Sequence, residues 1–138
     1  MSASEYNFKI EQGSTFKIKF YYRDENGDPI DLTGYCARLT WRTNYGIEQS
    51  FFTENTDYSV YKFELDEVHG GMILTLPAST TNSFEFSYAK YDLELQSPDV
   101  IYSTATSENY YTYRLLYGKA TIVKRESTTL ANLECQNE

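Results

Sequence analysis

The sequence predicts an all-β domain, a sandwich in preference to a barrel, and three observations carry the prediction. Apolar residues recur at every second position in several short runs, turn residues punctuate those runs roughly every 8–12 positions, and no stretch has a helical period. Fourteen Tyr, eight Phe and one Trp add side chains that suit a pleated, half-buried surface. At 138 residues the chain has the size of one ordinary domain, which buries enough surface to fold without a disulfide or metal staple.

Positions 15–22 open the pattern, with Phe16, Ile18, Phe20 and Tyr22 on one face and Thr15, Lys17, Lys19 and Tyr21 on the other. Arg23 to Pro29 then reads as a hairpin turn leading to an edge-like residue, because Asn26-Gly27 takes positive φ cheaply and Pro29 lacks a ladder donor. Alternation resumes over 35–43. It turns Ala37, Leu39 and Trp41 inward, and makes the only tryptophan a core anchor. Asn44-Tyr45-Gly46 turns the chain into a strand over 47–53, a further strand covers 58–65, and His69-Gly70-Gly71 turns into one over 72–76. A loop with one helical turn is expected over 77–83.

Positions 87–96 form the next strand, with Tyr91, Leu93 and Leu95 inward and Asp92, Glu94 and Gln96 outward. The Ser/Thr-rich stretch 97–109 reads as a loop with a short extended piece at 100–102. Two closing strands, 110–117 and 119–124, are expected on either side of Gly118. The domain therefore spans 1–125. A polar tail, 126–138, follows, and its Leu130 and Leu133 are too little for a stable helix.

Charge and cysteine usage exclude several functions. A net charge of −8 repels nucleic acid and anionic lipid, so neither is an expected partner. The longest apolar runs are only a few residues and the first residues lack a basic-then-apolar signal pattern, so the expectation is a chain made and kept in a cytosol or assembled there into something larger. Cys36 and Cys135 lie in dissimilar contexts and are read as two free thiols.

Each candidate for chemistry fails a specific requirement. Asp24, Asn26 and Asp28 have the oxygen spacing of a calcium loop, but Gly27 precedes the third oxygen residue and Tyr35 stands where the bidentate Glu belongs. His69-Gly70-Gly71 echoes an esterase backbone loop, yet the chain has no Gly-x-Ser-x-Gly elbow. Asp92 and Glu94 share a strand face with Lys90 and Gln96, with no apolar neighbour to raise a carboxyl pKa. Cys36 has no sequence-local base. No catalytic, metal or cofactor site is therefore expected. What remains is a tyrosine cluster, Tyr102, Tyr110, Tyr111, Tyr113 and Tyr117, a residue type favoured at interfaces and sugar-stacking platforms. Tyr102, Tyr110 and Tyr111 are the candidate partner contacts.

Four segments, Ile10-Glu11-Gln12-Gly13-Ser14-Thr15-Phe16, Gly27-Asp28-Pro29-Ile30-Asp31-Leu32-Thr33-Gly34-Tyr35, Tyr91-Asp92-Leu93-Glu94-Leu95 and Leu115-Leu116-Tyr117-Gly118-Lys119-Ala120-Thr121-Ile122, carry a resemblance in that order. The chain resembles tailed-phage virion structural proteins with an immunoglobulin-like domain, and is similar to the N-terminal domain of upper baseplate proteins over roughly 10–124. In the second segment Leu32 would plug the core and Gly34 would allow a tight approach to the Trp41 strand. The end of the domain, Lys124-Arg125-Glu126-Ser127-Thr128, departs from the family pattern. The resemblance implies an immunoglobulin-like antiparallel sandwich and a non-enzymatic virion part, at a baseplate, tail or neck, assembled in the host cytoplasm. Its partners would be other virion proteins or copies of itself. The alternative is a carbohydrate-binding β-sandwich module that uses exposed tyrosines.

Overall fold

The computed structural model describes residues 3–100 and 110–126, except for the side chains of 98–100 and 110. In chain order the elements are β1 (Ser4–Glu5), β2 (Phe8–Glu11), β3 (Phe16–Tyr21), β4 (Cys36–Thr43), β5 (Glu48–Phe52), β6 (Lys62–Asp66), β7 (Gly71–Leu76), a five-residue helix α1 (Ala78–Asn82), β8 (Tyr88–Val100) and β9 (Tyr110–Val123). A 3-10 turn, Glu67–His69, joins β6 to β7.

These strands form a sandwich of two sheets. One runs β9-β8-β4-β5, with β1 and β2 both against the free side of β9, and the other runs β3-β7-β6. A three-stranded B-E-D sheet facing a G-F-C-C′ sheet is the strand order of an immunoglobulin sandwich. Pairing is antiparallel except at one edge, where β1 and β2 run parallel to β9, in register Ser4 with Leu116 and Phe8 with Ala120.

Period-two alternation builds the core. On β4, Ala37, Leu39 and Trp41 point inward against Leu95, Leu93 and Tyr91 of β8, while Ile18 and Phe20 of β3 and Leu74 of β7 line the facing sheet. Trp41 is 1% exposed and meets the rings of Phe51, Phe84 and Phe86 edge-on at centroid separations of 4.9, 5.5 and 5.6 Å. Such contacts add to plain area burial.

Connections account for the remaining features. Asn26-Gly27 does form a turn, with Gly27 at φ 84° and an Arg23–Pro29 bridge beneath it. The turn does not return β3 to a neighbour, however, since β3 pairs with β7 and the chain crosses to the other sheet to begin β4. Leu32 anchors this crossing: its side chain is fully buried and its N–H donates to the Glu67 carbonyl at 2.9 Å.

Several expected boundaries move. The strand expected at 58–65 begins at Lys62, because 58–60 is a turn. Positions 97–99, expected as loop, continue β8 as far as Val100, which was expected to be extended. The two closing strands are one continuous β9. Gly118 does not break it: a Cβ there would lie 2.0 Å from the Tyr6 carbonyl oxygen, so the glycine is required by the N-terminal segment passing across it. Tyr6 is held on this path by its own N–H to the Tyr117 carbonyl and by the Tyr91 hydroxyl, which donates to the Tyr6 carbonyl at 2.6 Å. The tail beyond Glu126, with Cys135, lies outside the described residues.

Two predictions follow from this packing. Trp41→Ala should cost about 3–5 kcal/mol and lower the melting temperature accordingly, whereas a variant as stable as the parent would place the indole outside the core. The Tyr91 phenol is pushed well above its ordinary value of 10.0, first by burial and then by Tyr6. In the folded state it therefore keeps its proton where the unfolded chain loses it. Its stabilising contribution is complete below pH 10 and declines as pH rises above that value. Melting curves across that range should show a steeper alkaline loss for the parent than for Tyr91→Phe.

Candidate functional site

The two strands of the β8–β9 pair have thirteen and fourteen residues, whereas the other strands have two to eight. The pair continues to Val100 opposite Tyr110, with register shifts between Leu93 and Glu94 and between Gln96 and Val100, and so runs past the Cys36–Gln96 pair where β4 begins. The overhang stands at the end of the sandwich where the loop 22–35 and the turn 67–70 also lie. This corresponds to the end that carries recognition loops in immunoglobulin variable domains.

Tyr111 stands at the base of this overhang, and Tyr113 just before it. Tyr113 lies opposite Leu95 and so shares its face, and Tyr111 follows two residues away. They are 45% and 38% exposed, with rings 6.4 Å apart and 17° from parallel. Tyr22 lies close to Tyr113 and Tyr35, and its phenol is raised first by burial, then by those two neighbours. Of the candidate contacts, Tyr111 is therefore on the exposed overhang. Tyr110 opens β9 opposite Val100, and its side chain lies outside the described set. Tyr102 lies outside the described residues altogether. Tyr117 is separated from this group: it faces outward opposite Asp92, with the Arg114 guanidinium 4.8 Å from its ring centroid.

The residues tested for chemistry are occupied structurally. Asp24 Oδ1 accepts the N–H groups of Asn26 and Asp28 at 2.9 and 3.0 Å, which folds the loop around the carboxylate. Asp31 caps the next turn in the same way, accepting the Thr33 N–H and hydroxyl, and those bonds hold its carboxyl below the usual range. His69 is exposed and pairs with Asp66 at 3.0 Å. Asp92 and Glu94 are engaged by Arg114 and Arg38, on the outer face of the larger sheet. Cys36 lines a shallow recess of about 350 Å³ on that face, with Phe52, Glu54, Gln96 and Thr112. Its thiol is raised by burial first and by Glu54 second, the opposite of what an activated nucleophile requires.

Fold and site together define an immunoglobulin-like β-sandwich with a tyrosine-bearing overhang at its loop end. No protein-family model matches the chain, and no characterised protein matches it in sequence.

Because the Asp24 carboxylate is already turned onto two backbone N–H groups, millimolar calcium or excess EDTA should leave the melting temperature unchanged. A shift of several degrees with calcium would show that the loop can reopen around a cation.

Proposed function

We propose that this chain is a non-enzymatic structural or adaptor part of a phage virion, at a baseplate, tail or neck, and that it works by docking its loop end onto other virion proteins or copies of itself. The observation that carries the reading is the exposed, near-parallel pair Tyr111 and Tyr113 at the loop end, where the overhang begins. Rigid amphipathic rings gain contact area at little cost in side-chain entropy, and both lie on the loop-end side of Leu116, where β1 first pairs with β9. The virion assignment is supported by the four-segment resemblance, whose second segment builds the Leu32 crossing and whose fourth builds the Gly118 passage.

A second reading, a carbohydrate-binding module, draws on the same pair, since parallel rings can also stack a sugar. The two are separated by one variant. Tyr111→Ala/Tyr113→Ala should change stability by no more than about 1 kcal/mol and abolish incorporation into particles, scored by mass spectrometry of purified virions. If that variant is incorporated normally and instead loses binding to an oligosaccharide array, the sugar-binding reading replaces the assembly reading.

A further inference from the structure

We infer that copies of this chain associate head to tail, the acidic loop at one end of one copy seating on a row of cations near the opposite end of the next. The inference rests on the assembly reading and names one partner for it.

Arg42, Lys90 and Lys119 form the row. Arg42 lies directly opposite Lys90 across β4 and β8, and Lys90 directly opposite Lys119 across β8 and β9. Like charges facing each other in this way destabilise a sheet, and the chain has only twelve basic residues against twenty acidic ones. One carboxylate serves the row from within: Glu48 bonds Arg42 at 2.9 Å. Lys119 lies over the Tyr88 ring at 4.6 Å, and among the described residues no carboxylate stands within ion-pair distance of Lys90 or Lys119. A carboxylate-bearing partner would relieve this repulsion.

The complementary group is the loop that carries Asp24, Glu25, Asp28 and Asp31, all exposed. Its one cation, Arg23, is turned onto the Tyr21 ring at 5.3 Å. The bonds that fold the loop on Asp24 and Asp31 leave Glu25 and Asp28 on its outer surface with no side-chain partner among the described residues. The loop cannot reach its own row. It joins β4 at Cys36, and Arg42 is six residues further along, about 20 Å away at a strand's rise. Loop and row therefore belong to opposite ends of the molecule. A contact between them is heterologous and repeats into a ring or an open filament. At about 0.1 M salt the net charge of each copy is screened beyond about 10 Å, while the contact pairs are closer than that.

The test is sedimentation of the full chain across concentration in 0.1 M salt, with circular dichroism to confirm that each variant folds. The parent should self-associate. Glu25→Lys/Asp28→Lys and Lys90→Glu/Lys119→Glu should each weaken association by at least about tenfold. An equimolar mixture of the two, and the single chain carrying all four changes, should recover it. The four-fold variant keeps the net charge of −8, so its recovery reports pattern and not total charge. A monomeric parent, or failure of both the mixture and the four-fold variant to recover, overturns the inference. Self-association that ignores the charge changes but is lost in Tyr111→Ala/Tyr113→Ala overturns head-to-tail docking and leaves the assembly reading standing. A monomer that binds an oligosaccharide through those tyrosines removes both.

Discussion

A strand pair of thirteen and fourteen residues spans roughly 43–46 Å, and strands of five or six residues cover less than half of that. The sandwich can therefore bury only part of the β8–β9 pair. The covered part supplies Tyr91, Leu93 and Leu95 to the core, and the uncovered part becomes the surface at the loop end. Core and candidate contact surface are thus two segments of the same pair of strands. This holds Tyr113, paired with Leu95, more rigidly than a loop would, and Tyr111 follows between the paired Thr112 and Tyr110.

The other side of β9 imposes a second constraint. A β-bulge between Leu93 and Glu94 of β8 accommodates both Leu115 and Leu116, and the parallel pairing of the N-terminal segment begins at Leu116. Gly118 then lets the Tyr6 carbonyl pass close enough to receive the Tyr91 hydroxyl. Bulge, glycine and tyrosine together direct the N-terminal segment along the half of β9 remote from the overhang. At the end of that path Gln12 accepts the Arg125 N–H and donates to the Phe84 carbonyl, joining the N-terminal edge to the last described turn of the chain.

Strands with one buried face were legible in the sequence because burial forces a period of two, and 15–22, 35–43 and 87–96 each show it over eight or more residues. Trp41 was legible as core for the same reason, while Leu32, in a loop with no alternation, was read as core only from the segment that carries the resemblance. Features decided by distant partners were not. Phe8–Glu11 alternates buried and exposed, but four residues are too few to distinguish from chance, and its partner lies more than a hundred positions away. Gly118 has the local signature of a turn, and only the crossing of Tyr6 reveals that it is a mid-strand glycine. The site divides along the same line. The tyrosine cluster is contiguous and therefore visible, whereas Arg42, Lys90 and Lys119 are scattered along the chain and become a row only through the register of three strands.

Free sheet edges are the usual alternative route to association, and their side chains argue against it here. β3 borders the smaller sheet with Lys17 and Lys19 exposed, and β6 borders its other side with Lys62, Glu64 and Asp66. The edge of the larger sheet, β5, is five residues long and carries Glu48 at its start. Short edge strands with projecting charges discourage strand addition by another chain. The surface then divides by chemistry: edges guarded by charge, an outer face carrying the Arg38–Glu94 and Arg114–Asp92 ion pairs, and two regions whose charges or rings lack such internal partners among the described residues. Those two are the aromatic overhang with its acidic loop and the cation row, and they lie at opposite ends of the sandwich. An unsatisfied charge row gives orientation more than affinity, while buried tyrosine area gives affinity with little orientation. A docking contact that uses both would be specific in direction without requiring a large interface.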